Sequence, residues 1–231
     1  MDSSNVQGKA RAPISSHIVV RAATPPVIDA DWDKPFWKQT IPVQLDEFMG
    51  PRPDHMPKTQ AKVAYDDSAL YVIFRVEDRF VRSVMTNNQS PVCTDSCAEF
   101  FFSPAPALPN DYFNLELNCG GAMYFAYNNG NGETKMSNAD MAALTVAHSM
   151  PAVVDPEVTT PVTWTIEYRL PLHILTKYCP IVQPAPGVAW RANFYKCADK
   201  TSHPHWLTWA RVENPYPRFH LPAFFGRLEF E

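Results

Sequence analysis

The sequence predicts an all-β fold, an antiparallel β-sandwich of the jelly-roll type with one or two short helices. Two observations predict it. The 231 residues include 23 prolines and only 8 glycines, and helices tolerate internal proline less well than strands bounded by proline-rich loops. About ten short apolar runs are separated by turn sequences, a spacing typical of sandwiches and barrels. The length suits one domain, residues 16–231, after a flexible N-terminal tail, residues 1–15.

The first third of the chain reads as a strand, a short helix and a hairpin. HIVVRA is the strand, and VIDADWDKPFWKQ predicts a helix that carries Trp37, with Asp31 or Asp33 as its N-cap. AKVAYDDSALYVIFRVED has two apolar runs joined by Asp-Asp-Ser, which predicts a β-hairpin. Its second run alternates, so Val72 and Phe74 share the face expected in the core.

The remainder reads as further strands with one more helix. CAEFFFSP predicts a strand with one phenylalanine ring turned outward, and YFNLELN and AMYFAY flank Cys119-Gly120-Gly121 as a second hairpin. NNGNGETKMSNAD is polar and predicts a loop. PLHILTKY predicts a short helix with Pro171 in its first turn. The other expected strands are LTVAHSM, TWTIEYRLP, VAWRANFYKC, PHWLTWA and FFGRLEFE.

Composition excludes several classes of function. The net charge is −4 and the basic residues are scattered, which argues against binding to nucleic acid or to an anionic membrane. No apolar run reaches the roughly 18–20 residues of a membrane span. The N-terminal residues lack the apolar segment of a signal peptide. Five irregularly spaced cysteines do not form a disulfide framework, and we expect a monomer.

The order of the motifs resembles a known family. DADWDKPFW, VAYDDSALYVIFRVED, DSCAEFFFSP, YFNLELNCGG, TWTIEYRLPLHIL, GVAWRANFYKC, HWLTWA and FHLPAFFGRLEF follow one another over residues 17–231. This succession is similar to the carbohydrate-binding module family 9-like domains, within a wider group of β-sandwiches that includes the DOMON domains. The resemblance implies a jelly-roll-like sandwich that binds sugars without cleaving them, and it favours a secreted or periplasmic location.

The resemblance also implies a binding slot. Well-understood members of the family hold the end of a glucan or xylan chain between two tryptophans, with polar side chains around the slot. At the two tryptophan positions this chain has Val92 and Phe219, so one aromatic wall is missing and the other is replaced by a different aromatic ring. The family's polar slot carboxylate corresponds to Glu99.

The residues themselves point to the same chemistry, because sugars bind to flat aromatic faces and to planar polar groups. HPHWLTWARVENPYPRFH is the best candidate binding loop, although strand alternation sends one of its tryptophans into the core and the other outward. The polar stripes of YFNLELN and WRANFYK indicate ligand-facing strands, although each is also compatible with an ordinary solvent face. The candidate ligand-binding residues are Glu99, Asn118, Arg191, Asn193, Trp206, Trp209, Tyr216, Phe219 and His220.

The sequence also contains candidate ligands for metal ions. No cofactor is required, but the resemblance implies structural calcium, for which Asp66, Asp67 and Asp78 are candidate ligands; Asp66-Asp67-Ser68 is also an ordinary turn sequence. A zinc site at Cys93 and Cys97 lacks a second ligand pair at zinc-finger spacing, and His203 and His205 could join Cys197, but that set has no evident fourth ligand.

Two alternative functions remain open at this point. DOMON relatives suggest a b-haem module, with Met85 and either His148 or His220 as axial ligands. A small glycan-active enzyme would need an acid–base pair, but Asp95 and Glu99 would lie roughly 13 Å apart along one strand. Asp95 reads more simply as part of the turn that enters the strand.

Overall fold

In a computed structural model, which describes residues 14–231, the chain forms two stacked sheets with a few short helices. The predicted tail lies outside the described residues, apart from its last two positions. The helices are α1 (Pro35–Lys38), α2 (Asn138–Ala142) and α3 (Leu172–Leu175). The strands are β1 (Ser16–Arg21), β2 (Val43–Gln44), β3 (Glu47–Phe48), β4 (Lys58–Tyr65), β5 (Ala69–Asp78), β6 (Val81–Ser83), β7 (Cys97–Ser103), β8 (Tyr112–Asn118), β9 (Met123–Asn129), β10 (Gly132–Lys135), β11 (Thr145–His148), β12 (Val154–Val158), β13 (Val162–Pro171), β14 (Ala189–Cys197), β15 (Trp206–Thr208) and β16 (Gly226–Phe230).

Strand β1 connects the two sheets. The first sheet runs β10-β9-β8-β7-β14-β16-β1, with β15 and β3 added beside β14, and the second runs β1-β4-β5-β13-β11. The first half of β1 pairs with β16 and its last two residues pair with β4, both in parallel. The other pairings between the described strands are antiparallel. The predicted all-β sandwich is confirmed.

The core between the sheets is aromatic. Phe100 stacks on Phe102 and on Phe194, each at 4.7 Å between ring centroids, and Phe102 stacks on Trp190 at 5.9 Å. As predicted, the alternation of β5 places Phe74 in this core, where its ring meets Phe194. Interdigitated rings in one buried layer account for much of the apolar burial that stabilises such a sandwich.

Two sequence expectations differ locally from the structure. The N-cap of α1 is Lys34, and no side chain caps it; Asp31 instead accepts a hydrogen bond from the backbone N–H of Asp33. The stretch expected to be a loop contains β10 and α2. Ser137 caps α2 through its side chain, which accepts from the backbone N–H of Asp140. All four β10 side chains are exposed, so no apolar pattern marked this strand.

The short helix α1 packs on the outside of the sandwich. α1 buries Trp37 in a small apolar cluster on the outside of the second sheet, with Tyr71 and Ile73 of β5. None of the helices within residues 14–231 has the length and apolarity needed to cross a bilayer.

Candidate functional site

The outward side of β9, β8, β7, β14 and β15, here called the outer face, carries the candidate site. Alternation along β7 sends Phe100 and Phe102 into the main core, and therefore turns Cys97, Glu99 and Phe101 to the opposite side. The register places their partners beside them. Glu99 lies between Glu116 of β8 and Tyr195 of β14.

Glu99 and Glu116 form a buried carboxyl pair at the centre of the outer face. Their exposed fractions are 2% and 7%. Glu99 accepts a hydrogen bond from the Cys197 thiol at 2.9 Å, and Glu116 accepts one from the Asn114 amide at 2.8 Å. Neither carboxyl takes part in any ion pair between described residues. The pair therefore lacks the cation that usually accompanies buried carboxylates.

Burial controls the protonation of this pair. It raises the pKa of Glu116 to about 7. Burial, and then the charge of Glu116, raise the pKa of Glu99 well above its usual value. Two neighbouring carboxyl groups in an apolar setting disfavour each other's ionisation. The pair consequently retains a proton close to neutral pH, and a partner that donates hydrogen bonds would stabilise its charged form.

Aromatic side chains surround the carboxyl pair. Phe219 stacks on Tyr195 with 4.1 Å between centroids and 13° between planes, and it is only 8% exposed. His220 lies against Phe101 at 5.0 Å and contacts the Tyr112 hydroxyl through Nδ1 at 2.9 Å. Burial lowers the pKa of His220, so its ring is neutral near pH 7 and acts as a hydrogen-bonding group of the outer face.

The two tryptophans of the predicted binding loop point in different directions. Trp206, on β15 opposite Cys197, lies on the outer face, is partly exposed and donates from Nε1 to Asp199 at 2.8 Å. Trp209 packs against the main core, edge-on to Phe194 at 5.8 Å. The alternation therefore brings Trp206 to the candidate site and directs Trp209 inward.

Two predicted polar ligand residues form hydrogen bonds within the protein itself. Asn118 donates to Asp95 and to the Met85 carbonyl, and its own carbonyl accepts from a backbone N–H. Asn193 donates to the Ala210 carbonyl and accepts from the Ala210 N–H. Both asparagines are fully buried. Their amides hold neighbouring segments in place.

Arg191 and Tyr216 lie away from the carboxyl pair. Arg191, near the start of β14, donates to the carbonyls of Pro109 and Pro222. Tyr216 lies on the loop after β15 and is 75% exposed. Of the predicted residues, the structure thus brings Glu99, Trp206, Phe219 and His220 together on the outer face.

The two positions that correspond to the family's tryptophan walls belong to one apolar cluster. Val92, in a 3₁₀ turn before β7, and Phe219 are both buried there together with Phe101 and Tyr195. The turn that contains Val92 is followed by Asp95, which accepts hydrogen bonds from the backbone N–H groups of Val84 and Met85. The two positions therefore lie in one buried cluster on the outer face, with little exposed ring surface.

The candidate calcium ligands do not all lie together: Asp66 and Asp67 lie in the β4–β5 turn and Asp78 lies at the other end of β5, so the three do not share one ion, and calcium binding stays a prediction. Asp66 closes the β4–β5 turn by accepting from Ser68 and Ala69, and Asp67 pairs with Arg21. Asp78 ends β5, about 30 Å away at roughly 3.3 Å per residue. Its carboxylate contacts His55 at 2.7 Å and forms an ion pair with Lys196 on the core side.

Of the candidate zinc ligands, Cys97 and Cys197 face each other on the outer face, whereas His205 lies on the other side of β14. Lys196 alternates with Cys197 on β14, so its side chain points to the core side of the sheet. His205 lies on the same side, with 2.8 Å between Lys196 Nζ and His205 Nε2. Of the candidate haem ligands, His148 lies on β11 at the edge of the second sheet, whereas Met85 and His220 both pack beside the apolar cluster of the outer face.

The sequence predicts Glu99 as a ligand residue and includes Glu116 in the polar stripe of YFNLELN, but the pairing of the two carboxyl groups follows only from the register of β8 with β7. Tyr124 of β9 was missed; it lies next to Glu116 and donates to Glu133 of β10. The polar residues of MYFAYNN and GETK were the available signal.

Comparison with known proteins decides the family. The family model of carbohydrate-binding family 9 matches residues 36–230. The chain belongs to this family. The function that goes with it is carbohydrate binding, as predicted. No curated protein matches the chain.

Solved structures share the fold. A protein from Bacteroides uniformis ATCC 8492, solved as a candidate carbohydrate-binding protein, is 24% identical with a TM-score of 0.85, over 95% of this chain and 100% of that one. A family 9 carbohydrate-binding module from Caldicellulosiruptor kristjanssonii in complex with glucose is 16% identical with a TM-score of 0.62, over 94% and 96% of the two chains. Its cellotriose complex gives 16% and 0.60, over 94% of each chain.

Proposed function

We propose that this family 9 module binds a glucose unit of an oligosaccharide on the outer face, with Glu99 and Glu116 as the principal hydrogen-bond acceptors. The observation that carries the proposal is the pair of adjacent buried carboxyl groups without a cation partner. Sugar hydroxyls are donors of the right kind, since a vicinal pair offers two O–H groups to two neighbouring carboxylates. Glucose and cellotriose complexes of a family member with the same fold support this choice of ligand.

The rings around the pair suit the apolar face of a pyranose. Trp206, Tyr124 and His220 are partly exposed around the carboxyl groups, and flat rings bury sugar C–H groups while their polar tips remain hydrated. Phe219 supports this arrangement from below through its stacking on Tyr195. Because Val92 offers no ring, we expect weaker binding than in a module with two tryptophan walls.

The experiment is a calorimetric titration of the purified chain with cellotriose. A hydrogen bond to a charged group contributes about 1.5–3 kcal/mol, so Glu99→Gln and Glu116→Gln should each weaken binding by roughly ten- to a hundredfold. The matched control is Glu77→Gln, a surface carboxylate of the second sheet paired with Lys58, which should leave affinity unchanged. Equal affinities in all four proteins would refute the proposed site.

We further infer that the module does not cleave its ligand. Hydrolysis needs an acid and a second carboxylate on opposite sides of the scissile bond, whereas Glu99 and Glu116 project side by side from one sheet face. Prolonged incubation with cellotriose should release no glucose above the buffer blank. Release of glucose that disappears in Glu99→Gln would overturn this inference.

A further inference from the structure

Two cysteines face each other beside Glu99. Cys97 of β7 and Cys197 of β14 are direct cross-strand partners, and Glu99 follows Cys97 on the same side of β7. The two sulfur atoms and a Glu99 carboxylate oxygen lie within 4.8 Å of one another, and all three side chains are buried. This is the single group of three or more histidine, cysteine or acidic ligand atoms that converge in this way among residues 14–231.

The distances suit a small tetrahedral cation. Zn–S bonds of about 2.3 Å and Zn–O bonds of about 2.0 Å place ligand atoms roughly 3.5–3.8 Å apart. The Cys197 sulfur and the Glu99 oxygen, now 2.9 Å apart, would separate slightly, and the remaining pairs are within reach of small side-chain rotations. Thiolates select zinc and softer ions over calcium or magnesium, which prefer oxygen ligands.

The turn before β7 and the residues after β14 offer the cation a route from solvent and a fourth ligand. Cys93 is partly exposed, and its carbonyl oxygen lies 3.5 Å from the Cys197 sulfur. Asp199, two residues beyond Cys197, is an exposed carboxylate held by Trp206. The fourth position can thus be filled by Cys93, by Asp199 or by water.

We propose that Cys97, Cys197 and Glu99 form a binding site for a thiophilic divalent cation of the zinc class. Binding replaces the two S–H bonds by two metal–sulfur bonds and releases two protons to solvent, with no change in oxidation state. The cation also compensates the carboxyl pair, which otherwise has no positive partner. The other groups that face the site are Cys93, Glu116 and Asp199, with Lys196 beneath it on the core side.

Electrostatics make this site depend on pH. Burial raises the pKa of the Cys97 thiol to about 12 and also raises the pKa of the Cys197 thiol well above its usual value. Both thiols are therefore protonated near neutrality without a metal ion, and a cation must displace their protons. Affinity should increase with pH, while the reduced thiols stay unreactive in the absence of the cation.

The test is a titration of the reduced full-length protein with Cd²⁺, followed through the ultraviolet charge-transfer band of cadmium thiolates, and then displacement by Zn²⁺. We expect a band that saturates at one equivalent in the wild-type protein. The band should be lost in Cys97→Ser and in Cys197→Ser. The matched control Cys179→Ser, altered at a buried cysteine of the main core, should retain it.

A second variant keeps the proposal falsifiable if the serine variants fail to fold. Glu99→Gln retains both thiols and should bind the cation roughly tenfold or more weakly. No band in the wild-type protein, an unchanged band in Cys197→Ser, or an unchanged cadmium affinity in Glu99→Gln would overturn the proposal. A band lost in Cys179→Ser would do so as well.

Glu116→Gln separates this site from the sugar site. Glu116 belongs to the proposed carbohydrate site but is not one of the cation ligands. It should therefore lose cellotriose affinity and keep the cadmium band. Failure of cellotriose to bind would leave the cation result unaffected, so the two proposals can fail independently.

Discussion

Protonation of His205 should make the fold sensitive to acid. Its ring is fully buried, its Nε2 lies 2.8 Å from Lys196 Nζ, and its Nδ1 lies 2.9 Å from the carbonyl of His203. Lys196 is a donor, so Nε2 must accept and the ring must be neutral. Burial, and then the charge of Lys196, lower its pKa to about 3, against the opposing charge of Asp78.

The magnitude follows from linkage. The unfolded ring takes up its proton at about 6.5, whereas the folded ring does so at about 3, so the unfolded state binds more protons between these values. The stability associated with His205 is therefore present above pH 6.5 and is lost as the pH falls towards 3. At 1.36 kcal/mol per pKa unit the total is at most about 5 kcal/mol, of which about 3 kcal/mol is lost between pH 7 and pH 4.

The assay is urea unfolding between pH 4 and pH 8 for the wild-type protein and His205→Gln, whose amide oxygen can still accept from Lys196. His205→Gln should be less stable at pH 7, and the difference from wild type should shrink by about 3 kcal/mol at pH 4. His173→Gln, at an exposed position of α3, should follow the wild-type curve throughout. A constant difference between wild type and His205→Gln at every pH would refute the reasoning.

Three further predictions concern the carboxyl pair, a turn and the outer helix. The raised pKa of Glu116 means that the folded state binds more protons between pH 4.5 and about 7, so the contribution of Glu116 to stability should fall by about 3 kcal/mol as the pH rises through that range, and the stability of Glu116→Gln relative to wild type in urea unfolding should rise by that amount. A Cβ at Gly120 would come within 2.4 Å of a backbone oxygen, so Gly120→Ala should cost about 1–3 kcal/mol and lower Tm, whereas Gly130→Ala, which has open space, should not. Trp37→Phe removes the 2.7 Å hydrogen bond to buried Glu167, which should cost about 1.5–3 kcal/mol in the same unfolding assay.

Local patterns sufficed for most of the fold. The alternation in LYVIFRVED assigned Phe74 to the core because it depends on the period of a single strand. The turn sequences Asp66-Asp67-Ser68 and Cys119-Gly120-Gly121 predict the two hairpins, because each turn joins strands that are adjacent in sequence. The exposed strand β10 was missed, since it has no buried side chain to create a period.

The site depended on contacts that no local pattern carries. Glu99 meets Glu116 through one strand pairing, and Cys97 meets Cys197 across another that joins residues 100 positions apart. The polar stripe of WRANFYK looked like a ligand surface, but Asn193 is fully bonded to the segment that follows β15. Whether a polar strand residue faces a ligand or a covering loop is decided by the distant chain that packs over it.

The most direct measurement of the central claim is a crystal structure of the module with cellotriose. The account predicts one glucose ring on the outer face, with hydroxyl oxygens within hydrogen-bonding distance of both Glu99 and Glu116 and the ring next to Trp206. A cellotriose bound elsewhere on the sandwich, with the two carboxyl groups still buried and untouched, would contradict it.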